Sequence, residues 1–206
     1  MYMQKEDRTG KGVVYSRGFF AFLCGAAVIG LVLGTMCCCL ADKGLSGSTI
    51  GYFADTIIKR SSMEQGRLLA ESLWGNTVFL LGTAVLGLCP VGQPFELALL
   101  VIRGMGLGYS MAQLYSLAGR EMLGYCIGLM LPGAVIGLLG LIAAVREALC
   151  LSGIYLRMTL SDKPVQGLSQ TIKLYGAKLL AAEAVLALAA GADTVCNYLF
   201  IGRLGI

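Results

Sequence analysis

Charged residues leave long stretches of this chain empty. Between residues 18 and 41 there is none. A run of about 24 residues makes roughly 36 Å of helix, enough to cross the hydrocarbon layer of a bilayer. Apolar runs recur at residues 72–89, 95–117, 133–156 and 179–200, and each predicts a membrane-spanning helix. "CPVGQP" separates the second run from the third: Pro90 and Pro94 resist a continuous helix, and Gly92 relaxes the backbone between them. The stretch 122–156, about 35 residues, is too long for one crossing and short for two. Pro132–Gly133 divides it. The first piece, residues 122–131, is about ten residues or roughly 15 Å of helix. It predicts a half-spanning or re-entrant helix, tolerated only where protein covers its broken backbone. The expected fold class is therefore all-α: one polytopic integral membrane helical bundle over residues 1–206, with about five spans plus that half-helix.

The polar stretches between the runs set the expected orientation. Arg8, Lys11 and Arg17 precede the first run, which is too long for a signal peptide and lacks a small-x-small cleavage site. Residues 157–178 carry Arg157, Lys163, Lys173 and Lys178 against Asp162. By the positive-inside rule both segments, 1–17 and 157–178, belong in the cytoplasm, and an even number of crossings must separate them. Four full spans and one half-helix satisfy that count. Residues 41–71 then lie outside the cell. Their charges balance, and Ile50, Phe53, Ile57 and Ile58 recur at helical spacing. An amphipathic helix on the membrane surface and a helix packed on its own domain both fit that pattern. Trp74, near the start of the second run, suits an interfacial anchor.

Composition agrees with a membrane body and narrows the chemistry. Of 206 residues, 57% are hydrophobic and 14% charged, well below the quarter usual in soluble domains. There are 29 glycines, a content that suits close helix packing in lipid; Gly30 and Gly34 form a GxxxG in the first run. The net charge of +4 is dispersed, so no basic patch points to nucleic acid. No histidine is present, which removes histidine-based triads, metal sites and proton relays. The eight cysteines include no CxxC pair. Most lie in apolar runs as small packing residues, and "MCCCL" at Cys37, Cys38 and Cys39 could instead be lipidated or oxidised. "GMGLG" at Gly104, Gly106 and Gly108 lacks the lysine and strand–helix context of a phosphate loop and reads as a packing motif. No cofactor and no metal is expected.

The charges that do fall inside apolar runs carry the functional question. They are Glu96 and Arg103 in the third run, Arg146 and Glu147 in the fourth, and Glu183 and Asp193 in the last. Intramembrane ionisable residues either pair for structure or mark a pathway. Glu96 and Arg103 are seven residues apart, on one helix face but two turns distant, so each needs partners elsewhere. The expected network pairs Arg103 or Arg146 with Glu147 or Glu183. Carbonyls freed at the Pro90–Pro94 break are a further expected partner for Arg103. Glu96, close to a helix end, is expected to snorkel to an interface.

Within the third run the residues also resemble a known signature. Gly92, then Pro94–Phe95, then an apolar run to Arg103–Gly104 with Gly108 four later, resembles the stage II sporulation protein M family. "LMLPGAVIGLLGLIAA" around Pro132 fits as well. The likeness extends over most of the chain, strongest at residues 87–108. Glu96 departs from it, standing where an apolar residue is expected, and Arg146–Glu147 interrupts a span that is ordinarily more apolar. The resemblance implies a non-enzymatic membrane scaffold of the sporulation engulfment machinery. It implies location at the septum or engulfing membrane, with stage II sporulation proteins P and D, which degrade septal peptidoglycan, as partners. It brings no catalytic residues with it. Membrane lipid is the other expected partner, and self-association is left open. The alternative reading of the same charges is a small transporter or channel using Arg103, Glu147 and Glu183.

Overall fold

The computed structural model describes residues 17–41, 65–118, 123–160 and 168–204, all of them helical except the turn at 88–92. Five helices result: α1 (Arg17–Ala41), α2 (Gln65–Gly87), α3 (Gln93–Ala118), α4 (Leu123–Leu160) and α5 (Leu168–Leu204). Each is long and apolar enough to cross a bilayer. The protein is an integral, multi-pass helical bundle, as the charge-free runs require. The greater part of the expected surface segment 41–71, the N-terminal residues 1–16 and the middle of the basic loop 157–178 lie outside the described residues.

Cross-helix contacts fix the direction of every helix. Gly104 meets Ala27, and Gly108 meets Leu31, so α3 runs parallel to α1. Ser72 reaches Asp193 and Thr77 reaches Glu183, so α5 runs antiparallel to α2. Gly137 lies near Asn76, and Ala148 near Gly87, so α4 runs parallel to α2. The chain therefore goes up and down five times without a reversal in between.

Pro132 does not divide the fourth run. It stands inside one continuous helix of 38 residues. The expected half-helix over residues 122–131 is instead the first part of α4, from Leu123 onward. The physical reason is the bilayer itself: a broken backbone in lipid leaves amides and carbonyls unsatisfied, whereas a proline within a spanning helix sacrifices little of its ladder. At roughly 57 Å, α4 exceeds the hydrocarbon thickness by far. Ser152 Oγ donates to the Cys89 carbonyl at the α2–α3 turn, 2.8 Å away. Beyond Ser152, α4 continues to Leu160, so the α4–α5 pair projects roughly 12 Å past that turn.

α4 is the central post. Half of its apolar span is buried, against 17% to 28% for the other four. Leu141, Ile142, Val145 and Leu149 pack with Leu23 and Ala27 of α1 and Leu100 of α3. Ala144 packs with Leu80 of α2 and with Ala182 and Leu186 of α5. The outward faces carry Phe22, Val28, Ile29, Leu81, Val85 and Leu188, apolar side chains suited to lipid. Trp74, 70% exposed, also faces out of the bundle.

α1 and α3 make contact through backbone. The inward face of α1 is Leu23, Ala27, Gly30, Gly34 and Cys38. That of α3 is Glu96, Leu100, Gly104 and Gly108, one residue every four. A methyl group on Gly30 would collide with the Val101 carbonyl, and one on Gly34 with the Met105 carbonyl. From the other side, a methyl on Gly104 would strike the Ala27 carbonyl, and one on Gly108 the Leu31 carbonyl. Two GxxxG motifs thus interlock, each presenting its glycines to the other helix's main chain. "MCCCL" follows the same geometry: Cys38 turns inward, while Cys37 and Cys39 face outward as free thiols.

Substitution separates this clasp from the other glycines. Gly104→Ile and Gly108→Ile should each lower stability by about 1–3 kcal/mol through overpacking. Gly106→Ile, where nothing lies within 4 Å, should stay within about 0.5 kcal/mol of the parent. Denaturant titration in mixed micelles, followed by circular dichroism, measures the difference.

Candidate functional site

Two pairs of polar side chains meet near the middle of the spans. Arg103 stands at the centre of Gln93–Gln113, and Glu183 at the centre of Ser169–Cys196. Asn76 and Thr77 stand beside the centre of Leu69–Gly87. Consecutive on α2, they point to different neighbours. Arg103 donates from Nη2 to Asn76 Oδ1 at 2.6 Å. Thr77 donates from Oγ1 to Glu183 Oε1 at 2.7 Å. α2 is thereby tied to α3 on one side and to α5 on the other.

Arg103 is held by an amide and a ring. Its guanidinium lies over Phe79, 5.0 Å from the ring centroid. Phe79 and Asn76 are one turn apart on α2, so a single face of that helix supplies both contacts. A guanidinium suits this arrangement because its plane stacks while its edge still donates. Asp193 supplies the negative field acting on Arg103. Its carboxylate also lies over Gly133, where a methyl would come within 2.6 Å of Oδ1, and it accepts from Ser72 Oγ at 3.4 Å.

The expected ion pairs are redistributed. Glu147 pairs with Lys178 of α5, 2.6 Å from Nζ to Oε2, and not with Arg103 or Arg146. That pair lies on the flank of the bundle, with side chains 26% and 45% exposed respectively. Glu183 takes a threonine hydroxyl in place of a cation. Arg146, half-buried, joins no ion pair among the described residues. The carbonyls at the α2–α3 break do not go to Arg103: Cys89 accepts from Ser152 and from the Gly92 amide. Glu96 does not snorkel, for its side chain is fully enclosed.

Of the motif residues, Pro94 and Phe95 face outward at the start of α3, and Pro132 lies inside α4. Gly92 is buried, so close to the Leu86 carbonyl that no side chain would fit. Arg103, Gly104 and Gly108 all fasten α3 to a neighbour. The sequence reading missed Asn76, Thr77, Phe79 and Tyr175. Tyr175 is buried, and its hydroxyl donates toward the Thr83 and Ala84 carbonyls, 3.3 and 3.4 Å away, near the end of α2 where helical acceptors run out. One signal was available: Asn76 and Thr77 are adjacent polar residues in an apolar run. Among the described residues no group of histidine, cysteine, aspartate or glutamate side chains could hold a metal ion.

A double-mutant cycle on Arg103→Leu and Asn76→Leu should give a coupling of about 0.6–2 kcal/mol, the range of polar ties between membrane helices. Arg103→Lys should recover only part of it, since an ammonium cannot both stack flat on Phe79 and donate from its edge. Unfolding titrations of the four proteins in mixed micelles supply the cycle.

Comparisons with known protein families, with curated proteins and with solved structures return no match.

Proposed function

We propose that this protein is a membrane scaffold of the sporulation engulfment machinery. It sits in the septal membrane with its N-terminus and the 157–178 loop in the cytoplasm, and it anchors peptidoglycan-degrading enzymes of the stage II sporulation P and D type. The observation that supports this reading is the work done by the motif residues. Gly104 and Gly108 seat α3 on α1, and Arg103 ties it to α2. The residues that carry the family resemblance are thus spent on holding helices at fixed distances. A scaffold needs that property, because its partners must be presented in a constant arrangement on the far side of the membrane. The ties at the span centres act in the same sense: their polar atoms face one another across helix boundaries.

Affinity purification of the full-length protein from sporulating cells in mild detergent tests the proposal directly. Mass spectrometry should identify septal peptidoglycan-degrading enzymes in the eluate. Gly108→Ile should lose them, while Gly106→Ile should retain them. Intact, well-expressed protein recovered without such enzymes would overturn the scaffold reading and favour transport through the bundle.

A further inference from the structure

The end of the bundle where α3 begins and α4 finishes is basic. Its charged residues are Arg17, Arg146, Arg157, Lys173 and Lys178 against Glu96 and Glu147. Lys178 and Glu147 pair with each other. Glu96 is enclosed, and neither of its carboxylate oxygens accepts a hydrogen bond from the described residues, so the Arg146 guanidinium does not go to it. Arg146 is half-buried and joins no ion pair among the described residues. An arginine in an apolar span without an anion calls for one from outside the bundle.

Arg146 has company on its own helix. Residues 146, 150, 153 and 157 follow one another at intervals of four, three and four, so they share one face of α4. All four are partly or fully exposed, whereas Ala148, Leu151 and Ser152 are buried. Between the two arginines stand Cys150 and Gly153, a thiol and a bare stretch of backbone. The face is a shallow trough with a guanidinium at each end.

The trough lies at the membrane edge. The α2–α3 turn joins two spanning helices and so marks that edge, and Ser152 is bonded to it through the Cys89 carbonyl. Arg146 lies six residues deeper, roughly 9 Å, and Arg157 five residues beyond, roughly 7.5 Å. Helical side chains lean toward the N-terminus, which brings Arg157 back toward the edge, and the long stem of Arg146 can extend out to it. Both guanidiniums can therefore reach the depth of the lipid phosphates. We propose that Arg146 and Arg157 bind the phosphate of an anionic phospholipid, with Cys150 and Gly153 as the floor of the site. The occupant is a lipid because Arg146 lies inside the apolar span Pro132–Leu160, where a soluble anion or an acidic peptide has to shed its water. An anionic headgroup brings the net negative charge that a zwitterionic one lacks, and a guanidinium presents paired donors to phosphate oxygens. The site is independent of the scaffold reading.

Native mass spectrometry tests this on the full-length protein, stripped of lipid in mild detergent and offered phosphatidylglycerol or phosphatidylcholine. Phosphatidylglycerol should be retained in preference. Arg146→Gln and Arg157→Gln should each weaken its binding about fivefold, as expected of one basic group meeting an anionic headgroup. Lys173→Gln removes the same charge at the same end but from α5, and should leave binding unchanged. Equal retention of the two lipids, displacement by inorganic phosphate, or undiminished phosphatidylglycerol binding by the folded double variant overturns the proposal. If Arg146→Gln unfolds in lipid-free micelles and Glu96→Gln restores it, Arg146 is the counter-charge of Glu96 and the proposal fails. Arg157→Gln, at an exposed position, reads the lipid site whatever happens at Arg146.

Discussion

The bundle depends on the approach of two backbones. Inside a bilayer an apolar side chain gains nothing by leaving lipid for another apolar side chain, so contact must come from close packing and polar ties. Beyond Arg17 at its start, α1 has no charged residue with which to make a tie. What holds it is the interlock of Gly30 and Gly34 with Gly104 and Gly108, where the main chains themselves meet. Once α3 is seated there, Leu23, Ala27 and Leu100 form one wall of the core around α4. Gly104 also adjoins Arg103, so the helix seated by its glycine face is turned to send a guanidinium toward α2.

The intramembrane charges divide according to their depth and surroundings. Arg103 and Glu183, at the span centres, each take a neutral partner, an amide or a hydroxyl. A neutral partner suits that depth. It satisfies part of the charged group while requiring only one desolvated ion at each contact. Glu147 and Lys178 form a conventional pair on the flank, where the side chains remain partly exposed. Asp193 acts on Arg103 while also meeting Ser72, which links α3 to α5 through α2. Among the described residues these groups form short local ties, with Glu147–Lys178 as an ion pair.

Fold class was legible because the bilayer imposes one length scale on every span. The charge-free run before Ala41 and the Pro90–Gly92 break predict α1 and the α2–α3 turn within a few residues. Pro132 was misread because proline ends helices in water, where a freed backbone can be hydrated, and the same rule weakens in lipid. The charges themselves were legible, and their partners were not. Which face of α2 meets α3 depends on where Gly82 and Phe79 fall against α3, a matter of packing that no spacing along one helix reveals. Glu96 shows the same limit. Its position near a helix end suggests snorkelling, and only the arrangement of the neighbouring helices encloses it.

The parallel pairing of α1 with α3 also orders the assembly of the protein in time. The two helices are neighbours in space, but α2 lies between them in the chain. A ribosome delivers α1 to the membrane when its partner has not yet been made. Gly30 and Gly34 must face lipid, or whatever holds nascent helices, until the chain has been extended through Gly108. The first contact that can fix α1 thus arrives only with the third helix.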